Sequence, residues 1–244
     1  LEKSKRLAIE GATMRDRFKR FEAWRSANPS RPYSDFYAEV ILPVALGGTT
    51  PHPTLGANLV DAPFGVSGDK FAQTLVKQGL QPEHKCVDYG CGTLRIGHHL
   101  MRFLRAGHYW GLDISARVLD EGRQLIGPEL HASARPNLRV ISPATIAEAA
   151  SARPEMLFSV MVLRHVHPDE LQEYLSNIFS IIGDWGRAFI DGIYDGDATE
   201  NDDSWSYGLN TIAPMVSALG GELRGPLADG RGSREGVGMH EPPP

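Results

Sequence analysis

From residue 64 onward, short apolar runs alternate with longer amphipathic ones, and this rhythm limits the chain to very few folds. The short runs are "KCVDYG", "YWGLD", "LRVI", "MLFSVMVL" and "RAFIDGIY". Between them stand "LRIGHHLMRFLRAG", "SARVLDEGRQLIG", "TIAEAA" and "PDELQEYLSNIFSII". Strand-length runs separated by helix-length runs build βαβ units, hence a parallel sheet covered on both faces. The series closes on a helix, "NTIAPMVSALGG", and two strands, "ELRGP" and "GVGMHE". That ending lets the last strand insert antiparallel. The expected fold is α/β: a doubly wound, seven-stranded, mostly parallel sheet with an antiparallel last strand. Ser115 is the expected N-cap of its helix.

Residues 1–63 lack this rhythm and are expected to form an N-terminal helical cap on a domain spanning 64–244. Residues 3–26 read as a helix, with Leu7, Met14, Phe18 and Phe21 near one face. Asn28-Pro29 ends it. A second apolar pattern covers 33–46, and "GGTTPHPTLG" is a loop. Residues 1–31 hold nine Lys/Arg and four Asp/Glu, so the rest carries −10 of a total of −5. The basic helix reads as a solvated face or as a docking surface for a further domain or partner. The acidic body argues against nucleic acid as a partner.

The composition, 41% apolar and 23% charged over 244 residues, is that of a globular protein. No run reaches the ~18–20 apolar residues of a membrane span, and no segment has a signal-peptide layout. The opening Leu and closing "EPPP" read as the ends of an excised piece. Cys86 and Cys91 share one strand and turn, a poor geometry for a disulfide, and no metal-ligand spacing accompanies them. Two reduced cysteines suit the cytoplasm.

The chemistry concentrates in the first βα turn, "VDYGCGTLRIG". Gly90 and Gly92 allow close backbone approach at a helix start. A pyrophosphate loop needs a third glycine three residues later, where this chain has Arg95. Asp88, before the glycines, also repels a pyrophosphate and suits an ammonium group. Asp113 ends the next strand, where a carboxylate holds ribose hydroxyls. An ammonium group, close backbone contact and a ribose diol together describe S-adenosylmethionine.

"VDYGCGTLRIG" followed by "YWGLDIS" resembles the class I, Rossmann-like S-adenosylmethionine-dependent methyltransferases, over roughly residues 64–240. The resemblance implies that Asp88, Gly90, Cys91 and Gly92 meet the methionine end and that Asp113 and Ile114 meet the ribose. Arg95 is placed to pair with the cofactor carboxylate. Two departures stand out: Leu94 replaces the family's usual third glycine, and Ser142, followed by Pro143, matches the adenine-side position.

The resemblance puts the acceptor after the fourth strand, in "VLRHVHPDEL". There His165 matches the family histidine and, with His167, is a candidate base for a hydroxyl acceptor. Tyr33, Tyr37 and His52 in the cap, Trp205 and Tyr207 in "DDSWSYG", and His240 and Glu241 are weaker candidates. No Asn/Asp-Pro-Pro-aromatic run follows the fourth strand, which removes support for methylation of a nucleobase amino group. The expected activity is O-methylation of a small molecule or glycan. The rivals are a non-catalytic cofactor-binding module, a nucleic-acid methyltransferase and a nicotinamide dehydrogenase.

Overall fold

The structure is a computed structural model that describes residues 17–48, 55, 59, 64–194, 199–200, 204–226 and 236–239. His52, His240, Glu241 and residues 1–16 of the basic helix lie outside the described residues.

Five strands form the parallel heart of the sheet: β1 (Cys86–Tyr89), β2 (Tyr109–Asp113), β3 (Asn137–Val140), β4 (Met156–Ser159) and β5 (Arg187–Asp191). Their order is β3-β2-β1-β4-β5, so β1 and β4 meet where the winding reverses. Both strands are buried along their whole length, which suits the apolar Met156–Phe158 run of β4 and makes Asp88 in β1 a buried carboxylate. Two short strands, β6 (Ile193–Tyr194) and β7 (Thr199–Glu200), flank β8 (Trp205–Gly208) in a separate small sheet. The last strands, β9 (Leu223–Pro226) and β10 (Gly236–Met239), extend the main sheet beyond β5. There β10 lies between β5 and β9, antiparallel to each.

Side chains alternate between two cores, one on each sheet face. Val87, Tyr89, Leu157 and Ile190 enter one, while Cys86, Met156, Phe158 and Phe189 enter the other. The first core continues into the N-terminal helices α1 (Arg17–Ala27), α2 (Tyr33–Phe36) and α3 (Leu42–Gly47) through Phe21, Tyr33, Phe36 and Leu42. Phe36 is fully buried, which stabilises the cap by about 1.5–3 kcal/mol at that residue alone. Between α2 and α3 the backbone takes a π-helical turn, Tyr37–Ile41. Such single turns interrupt α-helices and are frequent at functional sites.

Four local expectations differ from the structure. The helix after the glycine turn, α5, starts at Gly97 (α4 is Gly65–Lys77). Its start is delayed because Leu94 holds a left-handed φ of 67°. The helix capped by Ser115, α6 (Ala116–Ala134), continues past a kink at Gly127–Pro128 to the left-handed Arg135. The apolar run "MLFSVMVL" is a strand only to Ser159; Met161 then turns at φ 62°, its N–H held 2.6 Å from Asp191 Oδ1. "WSYG" is a strand with Trp205 and Tyr207 in the core, because Phe18, Tyr33 and His167 cover Trp205.

Candidate active site

A cavity of about 220 Å³ opens beyond the carboxyl ends of β1, β2 and β4. This is where open α/β sheets take their ligands. Its floor is the glycine turn. Gly90 and Gly92 have φ of 82° and 55°. The N–H groups of Gly90 and Cys91 both donate to Leu112 O, at 2.8 and 3.0 Å, which pins the turn to β2. A Cβ on Gly90 would stand 2.3 Å from Val162 Cγ2, so no side chain fits there. Gly92 has open space at that position.

The third turn position keeps a left-handed backbone without a glycine. That conformation costs a residue such as Leu94 about 1–2 kcal/mol. Complete burial offsets it: Leu94 has no exposure, and its side chain sits on the bare backbone of Gly122 in α6. The small residue that a glycine-rich turn requires has moved to the facing helix.

Asp88 and Asp113 both line the cavity, at 3% and 7% exposure. Asp88 Oδ2 accepts from the Tyr109 hydroxyl at 2.8 Å. Burial pushes its pKa up to about 7; Asp113 adds to the rise, while the Tyr109 hydrogen bond and Arg95 oppose it. Asp113 accepts from the Gly92 N–H at 2.9 Å and the Ser115 N–H at 3.0 Å. Burial raises it to about 6, against those backbone donors. Two buried carboxylates on one cavity favour a ligand with positive charge or hydroxyl donors.

Of the other expected cofactor residues, Cys91, Arg95 and Ile114 line the cavity. Arg95 also donates to Ser67 Oγ, which ties the turn to α4. Ser142 is the exception. Its hydroxyl accepts from the Thr145 N–H, and Thr145 Oγ1 accepts from the Ser142 N–H, a reciprocal cap on α7 (Pro143–Ser151). Its neighbour Ile141 lines the cavity instead. The spacing Ser142-Pro143-x-Thr145 carried that capping signal in the sequence.

The structure separates the two histidines. His165 ends a 3-10 turn, Leu163–His165, lines the cavity and faces the Tyr37 ring at 5.3 Å. His167 does not line it. Its Nδ1 accepts from the Asp169 N–H at 3.2 Å, capping the turn Pro168–Glu170. Its ring packs among Phe21, Tyr33 and Trp205. His167 joins cap to core and is corrected from candidate base to structural residue. Tyr33, Trp205 and Tyr207 are likewise buried in that core and do not line the cavity.

Sequence reasoning missed the rest of the lining: Tyr89 on β1, and Glu170, Glu173, Tyr174 and Asn177 at the start of α8 (Leu171–Ile182). Glu170 Oε1 accepts from both the backbone N–H and the hydroxyl of Ser34, at 3.0 and 2.6 Å, fastening α2 over the opening. A signal was available, because Glu170, Glu173, Tyr174 and Asn177 are spaced at i, i+3, i+4 and i+7 and share one helix face.

No family model matches the sequence, and no curated protein matches it. Solved structures match the fold. TnmH superposes with a TM-score of 0.57 at 16% identity, covering 95% of this chain and 70% of its own. The magnesium protoporphyrin IX methyltransferase ChlM from Synechocystis PCC 6803, solved with bound S-adenosylmethionine, gives 0.56 at 15% identity, covering 85% and 94%. This chain has the methyltransferase fold. The mitomycin 7-O-methyltransferase MmcR shares it, at a TM-score of 0.53 and 15% identity over 72% of this chain and 54% of its own. Among the described residues no helix is long and apolar enough to cross a membrane, and no cluster of ligating side chains could hold a metal ion.

Proposed function

We propose that this chain is an S-adenosylmethionine-dependent methyltransferase that methylates a hydroxyl of a small molecule or glycan. In this reading residues 1–63 cap a catalytic domain of 64–244, with the full seven-stranded sheet and antiparallel last strand of the class I enzymes. One observation carries the proposal. Two buried carboxylates at the ends of adjacent strands flank a glycine turn and converge on one cavity.

Asp88 meets the cofactor's ammonium group. Asp113, already oriented by the Gly92 and Ser115 amides, takes the ribose hydroxyls. Ile114, Val118 and Ile141 supply an apolar wall for the adenine, and Arg95 faces the carboxylate. When bound, S-adenosylmethionine supplies a methyl group bearing sulfonium electrophilicity. The chain must hold the acceptor oxygen in line with it, ~3–3.5 Å from the methyl carbon. An imidazole nitrogen of His165 takes the hydroxyl proton, and the Tyr37 ring limits how that imidazole turns.

The name of MmcR supports an oxygen acceptor by analogy. Nucleic acid is a poor acceptor: four carboxylates and one guanidinium are among the lining residues. The free, buried Cys86 and Cys91 support a cytoplasmic setting. Calorimetric titration with S-adenosylhomocysteine, followed by methyl-tritium transfer into a small-molecule extract, tests the reading. Micromolar cofactor binding with label in a low-mass fraction is expected. Stabilisation by a nicotinamide dinucleotide but not by S-adenosylhomocysteine would overturn it.

A further inference from the structure

The acceptor half of the cavity has a chemistry of its own. It is lined by three tyrosine rings, Tyr37, Tyr89 and Tyr174, and by the carboxylates of Glu170 and Glu173. The Glu173 carboxylate, on an exposed residue at the cavity rim, makes no hydrogen bond or ion pair with any described residue, and it sits close enough to Tyr89 to help raise the phenol to about 12, after burial and against the Asn177 hydrogen bond. Tyr89 is 4% exposed; its oxygen accepts from Asn177 Nδ2 at 3.2 Å, while its own hydroxyl hydrogen has no acceptor among the described residues. The lining contains no lysine, and its guanidinium, Arg95, is tied to Ser67.

Aromatic faces beside carboxylates form a recognisable cation site, because ring quadrupoles and carboxylates attract the same charge. A neutral polyol would satisfy the hydrogen-bonding groups but would leave this negative potential unanswered. An anionic acceptor would meet two carboxylates with no counter-charge. We infer that the acceptor carries a protonated amine as well as the methylated hydroxyl, and that Glu173, with the rings of Tyr37, Tyr89 and Tyr174, selects it. The inference rests on the methyltransferase reading and names the substrate class of that site. Glu173 acts here as a specificity residue, with the transferred proton left to His165.

The test uses the full chain saturated with S-adenosylhomocysteine and three matched sets of hydroxylated probes. They are glucosamine, N-acetylglucosamine and glucuronate; tyramine, N-acetyltyramine and 4-hydroxyphenylacetate; and ethanolamine, N-acetylethanolamine and glycolate. Binding is read by calorimetric titration at pH 7.5 and low salt. At least one free amine is expected to bind at least tenfold more tightly than its acetylated and anionic counterparts. Glu173→Gln should remove most of that preference and leave S-adenosylhomocysteine affinity within twofold. Glu173→Lys should invert the ranking toward the anionic member. Absence of binding by all three amines, tighter binding of a neutral or anionic member, or an unchanged preference in Glu173→Gln would each overturn the inference. Failure of the wild-type chain to bind S-adenosylhomocysteine at all would instead overturn the methyltransferase reading.

Discussion

Asp88→Asn should make the ligand-free protein more stable and the liganded one weaker. The ordinary carboxyl pKa of 3.8 rises to about 7 at Asp88, chiefly through burial. The folded state therefore keeps a proton that the unfolded chain releases above pH 3.8. Between about pH 4 and pH 7 the folded state binds more protons, so stability falls as pH rises through that window and levels off above it. The span is about three pH units at about 1.4 kcal/mol each, a ceiling of about 4 kcal/mol at pH 8. Asparagine escapes this cost and can still accept from Tyr109 through its amide oxygen. Its NH2 group must find a partner, which takes back about 1–3 kcal/mol. The net expectation at pH 8 is a gain of about 1–3 kcal/mol, with melting temperature rising about 2–4 °C per kcal/mol for a chain of this size. At pH 5, where Asp88 is already protonated, the gain should vanish or reverse. Scanning calorimetry at the two pH values reads this directly. Calorimetric titration with S-adenosylmethionine at pH 8 should meanwhile show about tenfold or greater weakening, since a charged hydrogen bond is worth about 1.5–3 kcal/mol. A variant equally destabilised at pH 5 and pH 8 would refute the burial argument.

Asp113→Ala should weaken S-adenosylhomocysteine binding by about 1.5–3 kcal/mol, measured by titration, because the ribose loses its carboxylate. His165→Ala should slow methyl transfer by ~10²–10⁴-fold with cofactor affinity unchanged. An equal loss of binding and rate would make His165 structural. His167→Ala should instead destabilise the fold by about 1–3 kcal/mol, read as a lower melting temperature, because a half-buried aromatic contact set is lost, with kcat of the folded fraction little changed. Gly122→Ala should destabilise by about 1–3 kcal/mol in urea unfolding despite alanine's better helix propensity, because the new Cβ would lie 2.9 Å from Leu94 Cγ.

The glycine-turn side of the cavity was legible because it is local. Asp88, Gly90, Gly92 and Arg95 lie within eight residues of one another, and Asp113 follows at the end of the next strand. A strand–turn–helix at the carboxyl end of a parallel sheet presents such residues to the same cavity by geometry alone. The parallel strands were legible for a local reason too: burial on both faces forces mostly apolar runs, clearest in β4. Helix starts were less legible. The delay of α5 to Gly97 depends on Leu94 being left-handed, and that depends on a bare patch at Gly122, 28 residues away. No window of sequence around Leu94 contains the residue that permits its conformation.

The acceptor half resisted for a stronger form of the same reason. Glu170 and Ser34 are 136 residues apart, and their contact decides where the cap sits over the opening. His165 and His167 are two residues apart with identical chemistry, yet the fold sets them in different surroundings. His165 ends a 3-10 turn and faces Tyr37; His167, at φ −69° and ψ 145°, is extended and caps the following turn. Pro168 biases the preceding residue toward that extended conformation, so one part of the distinction was written locally. The other part was not. What makes His167 structural is the cluster of Phe21, Tyr33 and Trp205 that encloses it, gathered from both ends of the chain. Sequence motifs report the ligand that a local turn can hold, whereas the far side of the cavity forms only where the cap, the turn after β4 and the start of α8 close around the same space. On the inference drawn above, specificity rests at that closure, with Glu173 and the tyrosines beside it, rather than in the glycine turn that first revealed the site.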